Sequence, residues 1–312
     1  MMDIIGLGTV AMDVMLQVDD LPVEDGFAII KKSSFLPGGS GVNVITQVSR
    51  LSASCGYMAQ IGDDSLGQGI RASIIEERIN PDGLRIVPGA ISLHCDIVLN
   101  SAGRKFILLN MGNVFDKWGK NDVDTNYLTQ AKILYTDFLP GEPALEGLKQ
   151  AKQAGMTTVF NLQMGMNTME GLGVPESMVL EALQYVDIFA PCLGGFKQLC
   201  KTDNLEEAHK YIRKYFKRLL LVTLGSKGSV AYDEANNKFY EPVYETEVID
   251  TTGAGDSYLG AFMYAYLIKK RELKEAMSFA TACAAFTCQR LGARACPTLE
   301  QVQEMLKNTG KW

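Results

Sequence analysis

Short apolar runs alternate with helical patterns along most of this chain, and that rhythm limits its fold more than any other feature. Strand-like runs fall at residues 3–8, 56–61, 132–136, 157–162, 186–190, 219–223 and 229–232. Patterns of helical period lie at 41–51, 66–79, 143–154, 175–185, 205–216, 256–270, 273–290 and 299–306. Strands joined by helices of ten or more residues run parallel, and a parallel sheet is covered on both faces. The expected class is therefore α/β with a mostly parallel sheet. At 312 residues, 47% apolar and 21% charged, the chain can bury such a sheet and lacks the composition of a disordered protein.

Two segments break the rhythm. Residues 12–32 alternate apolar and polar (Val14, Leu16, Val18, then Phe27 and Ile29) around a turn at Leu21-Pro22-Val23-Glu24-Asp25-Gly26. Residues 93–109 alternate around Asn100-Ser101-Ala102-Gly103. Both read as β-hairpins inserted into the framework. Their four strands can pair into a small sheet at a cleft mouth, where it would act as a lid that excludes water.

Composition removes several functions. The net charge is −6 and no Lys/Arg-rich block is present, which argues against nucleic acid or an anionic membrane as partner. The first residues carry no basic segment, so no secretory leader is expected, and the longest apolar run, residues 259–268, is too short to span a bilayer. Seven cysteines without a C-x-x-C pair suggest reduced thiols in a cytoplasmic protein. The two histidines, His94 and His209, lie near no nucleophile motif, which disfavours a His-based zinc site or a Ser–His–Asp triad.

Three glycine-bearing segments carry candidate chemistry. Gly6-Leu7-Gly8-Thr9-Val10-Ala11 fits the dinucleotide fingerprint, but that motif needs a helix to follow at once. Val14, Leu16 and Val18 instead keep a two-residue period, so the segment reads as a strand end that delivers Asp13 to a cleft, where it can accept polyol hydrogen bonds, or as a surface turn. Pro37-Gly38-Gly39-Ser40-Gly41-Val42-Asn43 opens a helix, and the Asn43 amide offers both donor and acceptor. Asp250-Thr251-Thr252-Gly253-Ala254-Gly255-Asp256 opens another, whose first N–H groups lack internal partners and face the positive end of the helix dipole. A carboxylate there would repel phosphate, yet it is well placed to take a proton from a hydroxyl that attacks phosphorus. The plainer alternative is an Asp N-cap after a glycine loop.

Together, Gly38-Gly39-Ser40-Gly41-Val42-Asn43 and Asp250–Asp256 resemble the two signatures of the ribokinase-like (PfkB-type) carbohydrate kinases. Their order and separation match, as do Gly6 and Gly8 with Asp13, Gly62-Asp63-Asp64 with Gly67, and Thr223-Leu224-Gly225-Ser226-Lys227-Gly228. The resemblance spans the whole chain. It implies a three-layer α/β/α ribokinase-like sheet with a β-sheet lid. Residues 1–11, 38–91 and 114–312 would form the kinase core, and 12–37 and 92–113 the lid.

The implied reaction is phosphoryl transfer from ATP to a hydroxyl of a sugar or sugar acid. Asp256 would be the general base, and the N–H groups of Gly253, Ala254, Gly255 and Asp256 the anion hole. Asp13, Gly39, Gly41 and Asn43 would bind the acceptor. Thr223, Gly225 and Gly228, with Gly253 and Gly255, would bind the nucleotide, with residues 282–285 and Gly292 near the adenine. ATP and Mg²⁺ are the implied cofactors, and Asp250 and Thr252 would hold a monovalent cation such as K⁺. The exposed lid edge would support a homodimer. The alternatives are a nucleoside kinase of the same family and a catalytically weak sugar-binding protein that keeps the fold.

Departures from the family pattern stand out. Where the family carries Asn-x-x-Glu, linked to Mg²⁺, this chain reads Pro191-Cys192-Leu193-Gly194-Gly195. Its Asp-x-Asn pattern reads Asn161-Leu162-Gln163, and Ser40 stands where some members have a Lys that could meet a phosphosugar.

Overall fold

A computed structural model describes residues 1–102 and 104–308. Thirteen strands occur among them: β1 Met2–Leu7, β2 Ala11–Val18, β3 Lys32–Gly38, β4 Cys55–Gly62, β5 Leu84–Val87, β6 His94–Asn100, β7 Lys105–Asn110, β8 Ala131–Thr136, β9 Thr157–Phe160, β10 Ile188–Phe189, β11 Leu219–Thr223, β12 Ser229–Tyr232 and β13 Lys238–Glu241. The helices are α1 Ser40–Arg50, α2 Ser65–Glu76, α3 Thr125–Leu128, α4 Gly141–Gln153, α5 Met166–Gly171, α6 Glu176–Ala182, α7 Leu193–Cys200, α8 Leu205–Ile212, α9 Ala254–Met263, α10 Leu273–Cys288 and α11 Leu299–Asn308.

Nine strands form one sheet in the order β13-β12-β11-β10-β9-β8-β1-β4-β5. The seven from β11 to β5 run parallel, and β12 and β13 add an antiparallel edge. Strand β4 is buried along its whole length, as expected of a strand with helices on both faces. From β1 the chain moves outward to β4 and β5, then returns to β8 on the other side of β1. The junction of β1 and β8 is thus a topological switch point, and in open α/β sheets ligands bind at the C-terminal ends of strands beside such points.

The other four strands form a separate sheet in the order β3-β2-β6-β7. Strands β2 and β6 are parallel neighbours, and each has an antiparallel partner, β3 and β7. The second hairpin follows the sequence expectation, although Gly103 of its turn lies outside the described residues. In the first, the partner of β2 is Lys32–Gly38 and not the stretch through Phe27 and Ile29. Phe27 and Ile29 sit in the connection, 91% and 68% exposed. The expected turn does close, with Gly26 N–H bonded to Val23 O, but it belongs to a long loop. The real partner, Lys32-Ser33-Ser34-Phe35-Leu36-Pro37-Gly38, has no clean alternation and carries a proline, which an edge strand tolerates.

No helix among the described residues is long and apolar enough to cross a membrane. All seven cysteines are free thiols. The Gly6–Ala11 segment passes from β1 into β2 with no helix, in keeping with the rejection of a dinucleotide fingerprint.

Candidate active site

The switch point is closed by a buried carboxylate. Asp137, fully buried just after β8, accepts from Thr9 N–H at 3.1 Å and from the Thr9 hydroxyl. It also accepts from Leu139 N–H at 3.3 Å and Gln163 Nε2 at 3.2 Å. Burial pushes its pKa up to about 6, the bonds from Thr9 and Leu139 oppose the rise, and the charge of Asp256 adds to it. Thr9 Oγ1 in turn accepts from Gly41 N–H at 3.2 Å, in the first turn of α1. A Cβ on Gly41 would sit 2.3 Å from the Tyr57 hydroxyl and 2.5 Å from Asp137 Oδ2. Gly41 is therefore glycine because the protein's own groups fill the space beside it.

Helix α9 starts at Gly253, whose φ of +77° places it in the left-handed region that favours glycine. A Cβ there would lie 2.1 Å from Ala293 O. The first bond of α9 runs from Ser257 N–H to Gly253 O at 2.8 Å, which leaves the N–H groups of Gly255 and Asp256 ahead of the ladder. Ala254 N–H donates to Thr251 O at 3.2 Å and is already engaged. Beside Gly255 none of the described residues lies within 4 Å of the Cβ position, so an anion has room to approach.

Asp256, partly buried at that helix end, joins the two glycine segments. Ser40 Oγ donates to its Oδ1 at 2.5 Å, and Asn43 Nδ2 to its Oδ2 at 3.2 Å. Burial raises its pKa to about 6, against the pull of those two bonds and of the Arg294 charge. Such a carboxylate is ionised at neutral pH and still basic enough to accept a proton.

Two cavities meet at this point. The first, about 430 Å³, is lined by Asp13, Gly39 and Ser40, by Asn161 and Gln163, by Cys192 and Thr223, and by Gly255, Asp256 and Tyr258. Leu93, Leu109, Met111, Phe115, Met164 and Leu172 give it an apolar wall. Among the described residues its only charged lining groups are Asp13 and Asp256. Burial raises the Asp13 pKa, and the thiol of its strand neighbour Cys95 donates to it. The second, about 610 Å³, is lined by Thr223, Gly225, Ser226 and Gly228, by the 243–248 segment, by Thr251, Ala254, Gly255 and Tyr258, and by Thr281, Ala284, Ala285 and Cys288 of α10. The cavities share Thr223, Gly255 and Tyr258.

Most of the residues singled out from sequence come together here, with differences in position. Asp13, Gly39, Thr223, Gly225, Gly228, Ala254, Gly255 and Asp256 line one cavity or both. Gly41 and Asn43 line neither and stand behind the first, with Asn43 reaching Asp256. Asp250 and Thr252 also stand back from both. Asp250 Oδ1 accepts from Thr252 N–H and Oγ1, and its Oδ2 accepts from Gly292 N–H at 3.0 Å. Gly292 is thus tied to Asp250 and not to the α10 wall of the second cavity. Where the Asn-x-x-Glu pattern is lost, Cys192 caps α7, its Sγ accepting from Gly195 N–H. Thr9, Asp137, Cys95 and Arg294 lie in no motif that marks them in the sequence. Only the glycine before Thr9 hinted at the first pair, since Asp137 and Thr9 lie 128 positions apart.

A basic carboxylate at a helix N-terminus between two cavities describes a group-transfer enzyme that brings two ligands together over one anion site. The comparisons give the family: the pfkB family carbohydrate kinase model matches residues 1–300, and the chain belongs to that family. It is thus a carbohydrate kinase, a phosphotransferase with an alcohol group as acceptor. It is 27% identical over 307 residues to an ATP-dependent ribose-1-phosphate kinase of Halopiger xanaduensis, covering 98% of each chain. It is 25% identical to a cytidine kinase of Thermococcus kodakarensis, over 100% of this chain and 99% of the other. Among solved structures, Arabidopsis thaliana ribokinase complexed with ribose and ATP superposes with a TM-score of 0.86 at 23% identity, covering 98% of this chain and 99% of the other, and shares the fold.

Proposed function

We propose that this kinase transfers the γ-phosphoryl group of ATP to a hydroxyl of a free sugar or similar polyol, with Asp256 as general base. The observation that carries this reading is the meeting of the two cavities at Gly255, with Asp256 on the wall of the first. The acceptor occupies the first cavity and the nucleotide the second. Asp256 takes the hydroxyl proton as the acceptor oxygen bonds to the γ-phosphorus and the bond from that phosphorus to the ADP oxygen breaks. Charge on the transferring group is met by the N–H groups of Gly255 and Asp256 and by the α9 dipole, with Gly253 fixing the turn.

The charge of the first cavity narrows the acceptor. With Asp13 and Asp256 as the charged lining groups among the described residues, it favours an uncharged polyol over a sugar acid or a phosphosugar. Its apolar wall supports a second reading, in which the acceptor carries a flat apolar substituent, as a nucleoside does. ADP formation measured with ATP and Mg²⁺ across free sugars, sugar acids, sugar phosphates and nucleosides tests both. Turnover confined to the anionic acceptors would refute the charge argument.

No cluster of three or more His, Cys, Asp or Glu side chains suited to a metal occurs among the described residues. Mg²⁺ keeps several waters and binds through phosphates with few protein ligands, which fits such a site. Gln163, whose Oε1 is a buried acceptor without a hydrogen-bond partner, would receive a water of that shell. When bound, the metal would neutralise ATP phosphate charge. Asp250 has three of its roughly four lone-pair directions occupied, and the remaining one, with the Thr252 hydroxyl oxygen, would serve a monovalent cation such as K⁺. Phe35, Ile107 and Leu108 of the small sheet are 60%, 52% and 56% exposed, and this exposed apolar surface supports a homodimer through the lid, testable by sedimentation.

A further inference from the structure

Arg294 sits in the segment between α10 and α11, lines neither cavity, and reaches the site only through other residues. Its Nε donates to Asn43 Oδ1 at 2.9 Å, its Nη2 to Gly38 O at 3.2 Å and its Nη1 to Ser73 Oγ at 3.3 Å. The segment itself is clamped, because Arg50 Nη1 donates to Arg294 O at 2.7 Å and to Cys296 O at 2.9 Å while Glu77 holds Arg50 on both carboxylate oxygens. A guanidinium can only donate and an ionised carboxylate can only accept. The Asn43 amide lies between one of each, so a single orientation satisfies both, with Oδ1 toward Arg294 and Nδ2 toward Asp256. The opposite orientation would turn Oδ1 toward Asp256 and fit only its protonated, inactive form.

We infer that Arg294 is a positioning residue which locks the Asn43 amide in the orientation that favours ionised Asp256, and so keeps the base ready to take a proton. This rests on the reading of Asp256 as the base. The other ionisable groups near Asp256 do not supply the effect. Asp137 after β8 opposes ionisation by like charge, while Tyr57 of β4 and Tyr135 of β8 are buried phenols held far above their ordinary pKa and stay neutral. The buried faces of α1 and α10 bring only the thiol of Cys283, which is likewise neutral. Arg294 is the one cation in the set, and its charge lowers the Asp256 pKa directly as well.

The test is a titration of the Asp256 carboxyl by carbon-13 NMR in aspartate-labelled protein, the signal being assigned by its loss in D256N. In R294Q the midpoint should rise by about one pH unit, and in R294K, which keeps a donor-only cation, it should return to the wild-type position. N43A should raise it too, and R294Q/N43A should fall short of the sum of the two single shifts, because only the direct effect of the Arg294 charge survives the loss of Asn43. An unmoved midpoint in R294Q, or a fully additive double variant, overturns the assignment. Should R294Q fail to fold, N43A and R294K decide, and an N43A midpoint equal to wild type overturns it. With an active acceptor in hand, the acid limb of kcat/KM in R294Q should move with the NMR midpoint, a loss of about tenfold below the limb. The titration needs no substrate, so an absence of kinase turnover would count against the functional reading and leave the Arg294 assignment standing.

Discussion

Asp137→Asn replaces the buried carboxylate at the switch point with a neutral group of the same shape, and its cost should depend on pH in a calculable way. The folded protein holds this group at a pKa of about 6, above the ordinary carboxylate range of the unfolded chain. A carboxyl with a raised folded pKa binds its proton more tightly when folded, so stability falls as pH rises from the unfolded value through the folded one. Integrated from pH 4.5 to 7.5, that loss is about 2 kcal/mol for the wild type and absent from the Asn variant. Relief of repulsion with Asp256 is part of this same quantity, since the raised pKa already contains it. Against this stands a fixed, pH-independent cost. Asn Oδ1 can still accept from Thr9 and Leu139 N–H, but its NH₂ then faces both donors that Oδ2 serves in the wild type, the Thr9 hydroxyl and Gln163 Nε2, at about 1–3 kcal/mol for each left unpaired. Urea unfolding of both proteins at the two pH values isolates the first quantity, since every other group is common to both. The variant should gain on the wild type by about 2 kcal/mol between pH 4.5 and 7.5. A gap that stays constant, or widens against the variant, would refute a desolvated carboxylate at this position.

Other expectations follow from the same geometry. Asp256→Asn should keep ATP-induced thermal stabilisation while turnover falls about 10²–10⁴-fold; near-normal turnover would remove the base assignment. In the wild type kcat/KM should fall as pH drops below about 6, where Asp256 and Asp137 both take up protons and the apparent values belong to the pair; D137N should leave a single acid transition at lower pH. Gly253→Ala forces an alanine to φ +77° with its Cβ against Ala293 O and should lower stability by at least ~1–2 kcal/mol. Gly255→Ala meets nothing among the described residues, so its melting temperature should hold while its methyl obstructs the anion site and turnover drops. Equal melting losses in the two would contradict the placement of open space at Gly255. Ala254→Pro removes a bond to Thr251 O at the first helical position, where proline is tolerated, and should retain more activity than Gly255→Ala.

The parallel core was legible because it is built from buried strands between long helices, a pattern that composition and period carry without tertiary information. Strands β5 and β13 were not, since Leu84-Arg85-Ile86-Val87 and Lys238-Phe239-Tyr240-Glu241 are short edge strands that take their conformation from one neighbour. The partner of β2 was misread for a related reason. A ladder needs one face to be buried before alternation appears in the sequence, and most of β3 is exposed. In the site, local motifs announced Asp256 and its helix end. The residues that set their electrostatics, Asp137 and Arg294, come from loops whose sequences carry no periodicity, and only the fold brings them within reach.

The two glycine segments show how far a motif can be trusted. Both open helices, and both read equally well as places where a ligand approaches the backbone. At Gly41 the missing Cβ makes room for the Tyr57 hydroxyl and the Asp137 carboxylate, so its absence serves the protein's interior and lets α1 seat against the switch point. At Gly255 it makes room for nothing among the described residues. Gly39 and Ser40 of the first segment line the first cavity, but on Asp256 the segment acts through Ser40 and Asn43, which hold the carboxylate from α1; the second segment meets the reacting group itself. Substitutions should divide accordingly. Gly41→Ala should lose stability first and activity only as a consequence, whereas Gly255→Ala should lose activity with the fold intact.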